Sequence, residues 1–227
     1  MPEAGIPIDR TQADAALQAV TRRLPSGWLV MPIGALGMMN VIDDVAQRTK
    51  DVDLVPFLVV DQKLKIPPTK ALVEFANTLS DSVTVQKDQT NVTVLVPLEA
   101  GKVKVELIRG RNPASGGYFV TRRVLEACAS ISLRKGNVLE LPAEGMAFLK
   151  AWAATDQDKL VAAKRDPRGF HAARAAAFRQ DVSTMARSFL GQGKTPPTGE
   201  MPQLLSSCPI ARREPIEGVL RAAGWSL

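Results

Sequence analysis

The chain has 227 residues, 45% hydrophobic and 23% charged, enough for one large domain or one domain with a small appendage. No apolar run approaches the roughly 18 residues of a membrane span. The opening MPEAGIPIDR lacks the basic and apolar regions of a secretory signal, so the cytosol is the expected location and no membrane partner is expected. Cys128 and Cys208 alone make neither a disulfide framework nor a zinc site, and a formal charge of +6 with a pI of about 9.5 favours polyanionic partners.

The first predicted element is a helix over residues 9–24, with Ala16, Leu17, Val20 and Leu24 near helical spacing, Asp9 as its N-cap and Pro25 as its stop. Gly27 opens a strand, Trp28–Ile33. A Gly-containing turn at Gly34 and Ala35 leads into a helix over about Leu36–Gln47, with Asp43 and Asp44 on its exposed side. A strand over Asp51–Val60 follows, apolar after Asp53 as a doubly covered central strand would be. Pro56 removes a ladder donor and predicts a bulge or an edge there.

Pro67 and Pro68 close a polar turn before a helix over about Thr69–Leu79, whose Leu72, Phe75, Ala76 and Leu79 share a face. Three short strands come next, Val83–Lys87, Val92–Val96 and Val103–Ile108, joined by hairpin-type turns. RGRNPASGG, residues 109–117, reads as an irregular loop. A short helix near Tyr118–Val124 and a hairpin with strands Leu125–Leu133 and Val138–Leu141 complete this half. From Pro142 the pattern turns helical: Ala143–Ala153, Asp156–Lys164 and Phe170–Leu190. Residues 191–209 are rich in Gly and Pro and predict a linker, and Glu214–Ala223 a last amphipathic helix. This divides the chain into an α/β core at 1–141, a helical subdomain at 142–190, and a linker with a C-terminal helix at 191–227.

The chemistry concentrates in two strands. Residues two apart in a strand share a face about 6.6 Å apart, so Asp51 and Asp53 point one way, with Arg48 and Lys50 just upstream. Paired carboxylates bind hard divalent cations, though Asp-x-Asp also recurs by chance. The turn at Gly34 and Ala35 places a helix N-terminus where phosphate oxygens bind. In KVKVELI, residues 102–108, Glu106 shares the polar face with Lys102 and Lys104. Three carboxylates from two strands are the donor set of a two-metal phosphoryl or nucleotidyl transfer site. Residues 109–135 carry Arg109, Arg111, Arg122, Arg123, Arg134 and Lys135 against Glu126 alone, which reads either as a solvated basic face or as a nucleic-acid surface.

Ile33-Gly34-Ala35, a helix, Asp51-Val52-Asp53 in a strand and a third acid on a later strand together resemble the nucleotidyltransferase superfamily related to DNA polymerase beta. The phrase RTKDVDL, residues 48–54, is most like the group containing abortive-infection toxins and their stand-alone relatives. Two positions depart from the pattern: Ala35 replaces a second Gly or Ser, and Glu106 replaces the commoner Asp.

The resemblance implies an α+β fold, with a mixed β-sheet core, helices on one side and a helical segment after it. It implies transfer of a nucleoside monophosphate from an NTP to a hydroxyl of tRNA, other RNA or protein. Asp51, Asp53 and Glu106 would hold two Mg2+ or Mn2+ ions. Gly34, Ala35, Arg48, Lys50 and Lys150 would contact the nucleotide, Lys150 being otherwise a surface lysine on an amphipathic helix. A toxin-like member would also have a cognate antitoxin protein as partner. No phosphate loop, dinucleotide fingerprint or nucleophile elbow is present; the lone His171 reads as structural and Cys128 as buried and inert. The alternative from another class keeps the fold without the chemistry, as a basic nucleic-acid-binding or assembly module.

Overall fold

The computed structural model describes residues 8–42, 49–86, 90–111, 120–166 and 168–227. They form two units, one of residues 1–110 with 132–141 and the other of residues 111–131 with 142–227. The first unit holds helices α1 (Arg10–Thr21), α2 (Gly34–Met39) and α3 (Thr69–Leu79). Its strands are β1 (Trp28–Pro32), β2 (Val52–Val60), β3 (Lys63–Lys65), β4 (Val83–Val85), β5 (Asn91–Leu98), β6 (Gly101–Ile108), β7 (Leu133–Lys135) and β8 (Val138–Glu140). These strands make one mixed sheet in the order β4-β5-β6-β2-β1-β8-β7, with β3 also paired to β2.

Alternation along these strands separates the sheet's faces. Val52 and Leu54 lie beside Val105 and Leu107 across the parallel β2–β6 pair, and Val92, Val94 and Val96 continue the row. All are buried in one cluster with Ala13, Ala16 and Val20 of α1 and Leu72, Phe75, Ala76 and Leu79 of α3. The capping box expected at Asp9 is present: its carboxylate accepts from the Gln12 amide at 2.9 Å and the Gln12 side chain accepts from the Asp9 amide.

Pro56 sits in neither a bulge nor an edge. The Ile33 amide donates to the Asp53 carbonyl and the Val59 amide to that of Gly27, so odd-numbered residues of β2 bond β1 and even-numbered ones face its other neighbours. Pairing with β6 covers residues 52–54 and pairing with β3 covers 58–60. Pro56 falls in the interval where no donor is called for.

The second unit is helical: α4 (Arg122–Ser130), α5 (Ala143–Ala162), α6 (Phe170–Gly191), α7 (Met201–Ser207) and α8 (Ile210–Ala222). It corrects several expectations. Leu125–Leu133 is not a strand, because Val124, Leu125, Cys128 and Ala129 recur at helical spacing and are buried together on α4. The break expected near Asp156 is absent. The Thr155 hydroxyl donates back to the Trp152 carbonyl and the Asp156 carboxylate accepts from Trp152 Nε1 at 2.9 Å, so α5 runs unbroken. Residues 191–209 are not all linker: Pro202 lies in the first turn of α7, where a missing amide costs nothing. The helix expected from Leu36 to Gln47 ends at Met39, and Asp43 and Asp44 lie outside the described residues, as does Tyr118 at the start of the helix expected before α4. Trp225 docks within its own unit, its Nε1 donating to the Val182 carbonyl at 3.3 Å and its ring edge-on to Phe189.

The node of this unit is an ion pair, Arg212 of α8 to Asp156 of α5, both buried, with the guanidinium 4.5 Å from the Trp152 ring. Burial pushes the Asp156 carboxyl upward, while Arg212, Trp152 and Lys159 pull it back. Removing one partner strands the other charge, so Arg212→Met is expected to cost about 3–5 kcal/mol in chemical denaturation. Adding Asp156→Asn should recover part of that loss; if the single variant is as stable as the parent, the pair contributes nothing.

Candidate functional site

The face opposite the α1–α3 layer carries the charges. Parallel register sets Asp53 beside Glu106, and the alternation that buries Val52 and Leu54 turns Asp51 and Asp53 to the same side as Lys104 and Glu106. The three acids expected to act together thus share one face of two adjacent strands, each half-buried.

Lys104 stands among them, and sequence reasoning gave it no role. Its ammonium is 3.2 Å from Asp51 Oδ2 and in close contact with Glu106 Oε1. Burial alone would lower the Lys104 pKa, but the Glu106 and Asp51 carboxylates outweigh it and raise it above the ordinary lysine value. The other oxygen of Glu106, Oε2, accepts from Asn91 Nδ2 at 3.1 Å. Asn91 is 3% exposed, and among the described residues its Oδ1 has no hydrogen-bond partner. With Nδ2 on a carboxylate, that carbonyl oxygen is a buried acceptor that has lost water without replacement. The signals for both residues were present in sequence: Lys104 lies two before Glu106 on its face, and Asn91 opens the strand paired with β6.

Gly34 holds the third side. Its φ of +63° lies in the left-handed region, and a Cβ added there would be 2.1 Å from Asp53 Oδ2. Glycine is therefore required twice over, for backbone conformation and for the approach of the carboxylate. Ala35 follows in the short helix α2, half-buried, and Lys50 is exposed beside Asp51. Arg48 lies outside the described residues. Lys150 belongs to the helical unit, where it is 9% exposed, pairs with Asp181 at 2.6 Å and lies over the Phe178 ring.

The basic segment 109–135 is divided between the units. Arg109 is buried and donates from Nε to the Pro67 carbonyl at 3.1 Å, fastening the entry to α3, so it is not a substrate-facing cation. Arg123 is exposed, Arg122 is half-buried with its buried Nε unpartnered among the described residues, and Lys135 is paired with Glu140.

Among the described residues, no three acidic, histidine or cysteine side chains close on a point tightly enough to hold a metal ion as they stand. The donor set nevertheless fits a hard cation in kind: carboxylate oxygens from neighbouring strands, two of which already clasp an ammonium. Also among the described residues, no helix is long and apolar enough to cross a membrane.

No protein-family description and no curated protein matches this chain. Among solved structures it is similar to an antigenic nucleotidyltransferase-like protein from Paracoccidioides brasiliensis, with a TM-score of 0.51, 14% identity and 97% of each chain covered. At that identity the likeness shows the fold, a nucleotidyltransferase-like α+β architecture with a mixed sheet.

Two substitutions test this geometry. Gly34→Ala should cost about 1–3 kcal/mol from backbone strain and displace Asp53; thermal denaturation at the parent's midpoint would refute the crowding. Lys104→Met leaves Asp51 and Glu106 facing each other without a counter-ion. A loss of about 1 kcal/mol at low salt, or roughly 2–4 °C at this size, is expected, with millimolar Mg2+ restoring it more fully than in the parent. No restoration would mean that the acids do not share a cation position.

Proposed function

We propose that the chain is a metal-dependent nucleotidyltransferase that moves a nucleoside monophosphate from an NTP to an acceptor hydroxyl. The observation that carries this reading is the convergence of Asp51 and Glu106 on one cation, with Asp53 next to Glu106 on the same face. Two Mg2+ or Mn2+ ions held by these carboxylates would lower the pKa of the attacking hydroxyl and offset charge on the leaving pyrophosphate.

The chain's own residues have the following parts. Asp51 and Glu106, now paired with Lys104, would hold the metal once the ammonium moved aside, and Lys104 would then offset negative charge on the triphosphate. Asn91 keeps Glu106 Oε2 fixed, so Oε1 is the oxygen that changes partner and receives the acceptor's proton. Gly34 lets backbone and Asp53 approach each other without a side chain between them, and Lys50, with Arg48 upstream, supplies further positive charge for the phosphates. Lys150, engaged by Asp181, is not needed. The acceptor is RNA, a tRNA 3' end among the candidates, or a protein hydroxyl; a toxin-like role with an antitoxin partner extends the sequence resemblance, and a cytosolic setting suits such substrates.

A second reading has one observation in its favour. Lys104 already pairs with two of the three acids, as a retired site on a scaffold kept for binding would allow. Calorimetry with Mg-NTP separates the two, because a retired site shows no metal-dependent nucleotide affinity.

The deciding experiment incubates the protein with each radiolabelled NTP and total cellular RNA or protein. Label transfer is expected, with a fall of about 10²–10³-fold or more in Asp51→Asn/Asp53→Asn. Equal transfer by the double variant would remove these residues from catalysis.

A further inference from the structure

The helical unit carries a cluster that the three-acid site does not use. Helix α6 places Phe170, Arg174 and Phe178 at successive intervals of four, on one stripe of the helix. The Arg174 guanidinium lies over both rings, 5.5 Å from the Phe170 centroid and 5.6 Å from that of Phe178. Beyond Phe178 the Lys150 ammonium continues the row at 5.5 Å. Aromatic and cation thus alternate along one line. At the Lys150 end the row is buried and closed by Asp181, whereas at the other end Phe170 is 57% exposed.

The open end is surrounded by uncompensated positive charge. Lys164, Arg165 and Arg168, in the connection from α5 to α6, are exposed, as is Arg174. Among the described residues none of these four cations has a salt bridge, although several acids lie nearby in the chain. Asp166 accepts from the His171 and Ala172 amides at 2.9 Å each, Asp158 pairs with Arg179, and Asp181 with Lys150. Four cations stand against one acid over residues 164–174, and that acid serves the helix terminus.

We propose that this surface binds single-stranded nucleic acid, with a base stacked on the exposed part of the Phe170 ring, beside the His171 ring that lies 5.4 Å away at a steep angle, and the adjoining phosphates held by Arg168, Arg174 and the Lys164–Arg165 pair. Every base has a face that can stack on an aromatic ring, and flanking cations track the backbone, so stacking and charge together favour a single strand over a duplex. An anionic membrane would use the same charges but needs a broad apolar face. Here the exposed neighbours of Phe170 on α6 are Arg174 and the small side chains of Ala172, Ala173, Ala176 and Ala177, and one ring is enough to stack a base. The inference does not depend on catalysis by Asp51, Asp53 and Glu106.

The test is fluorescence anisotropy of the full chain with a labelled oligouridine 20-mer across a salt series, with phosphatidylserine vesicles in parallel. All substituted residues are exposed, so the variants should fold. Phe170→Ala should weaken binding by about tenfold with an unchanged salt slope, and Phe170→Trp should preserve it, because stacking is sequence-tolerant and uncharged. Arg168→Gln/Arg174→Gln should flatten the slope of log affinity against log salt by about 1.4, roughly 0.7 for each phosphate no longer neutralised. Three results would overturn the inference: no oligonucleotide binding, binding that none of these variants changes, or binding to the vesicles alone.

Discussion

The parallel register between β2 and β6 is the constraint on which the rest of the first unit depends. With Val52 opposite Val105 and Leu54 opposite Leu107, the valine and leucine side chains go to the α1–α3 layer. Asp51, Asp53, Lys104 and Glu106 must then go to the other face. A slip of β2 by one residue would bring Asp51 and Asp53 into a hydrocarbon core and expose Val52 and Leu54. Hydrophobic burial therefore fixes the positions of the acids, without any attraction between acids having to do so. Lys104 reduces the electrostatic cost of keeping them adjacent.

The same face combines a buried polar contact with a partly exposed one. Glu106 has one oxygen held by Asn91, a buried amide, and the other by Lys104, whose side chain is still partly exposed. Among the described residues the unpartnered Oδ1 of Asn91 is a local cost of burial, and Gly34 avoids a second one by leaving room for Asp53. In the helical unit the Arg212–Asp156 pair has both charges buried and its work is internal. The Phe170 row is open at one end.

Much of the first unit was legible because its strands alternate and its helices carry clear stop and start residues. Asp9 capped where expected, and the turn at Glu99 and Ala100 made the β5–β6 hairpin. The misreadings have identifiable causes. In Leu125–Leu133 an apparent alternation around Cys128 concealed the spacing of Val124, Leu125, Cys128 and Ala129, and the break expected between Ala153 and Asp156 ignored Arg212, the partner of Asp156 that lies 56 residues further on. Pro202 counted toward a linker although it sits in a helix's first turn, where proline is tolerated. Arg109, grouped with a basic strip by its neighbours in sequence, is committed to a carbonyl 42 residues away.

By itself the sequence determined which residues have carboxylates at strand spacing, that Gly34 precedes them, and that apolar periodicity builds an α+β chain, because these follow from local geometry that repeats every two or 3.6 residues. Only the tertiary structure decided that Asp53 lies beside Glu106, that Lys104 bridges two acids, that Lys150 is taken by Asp181 and that Phe170 stays open to solvent. Those outcomes depend on which strand or helix comes to lie beside which, and no spacing along the chain encodes a distance between residues 53 and 106.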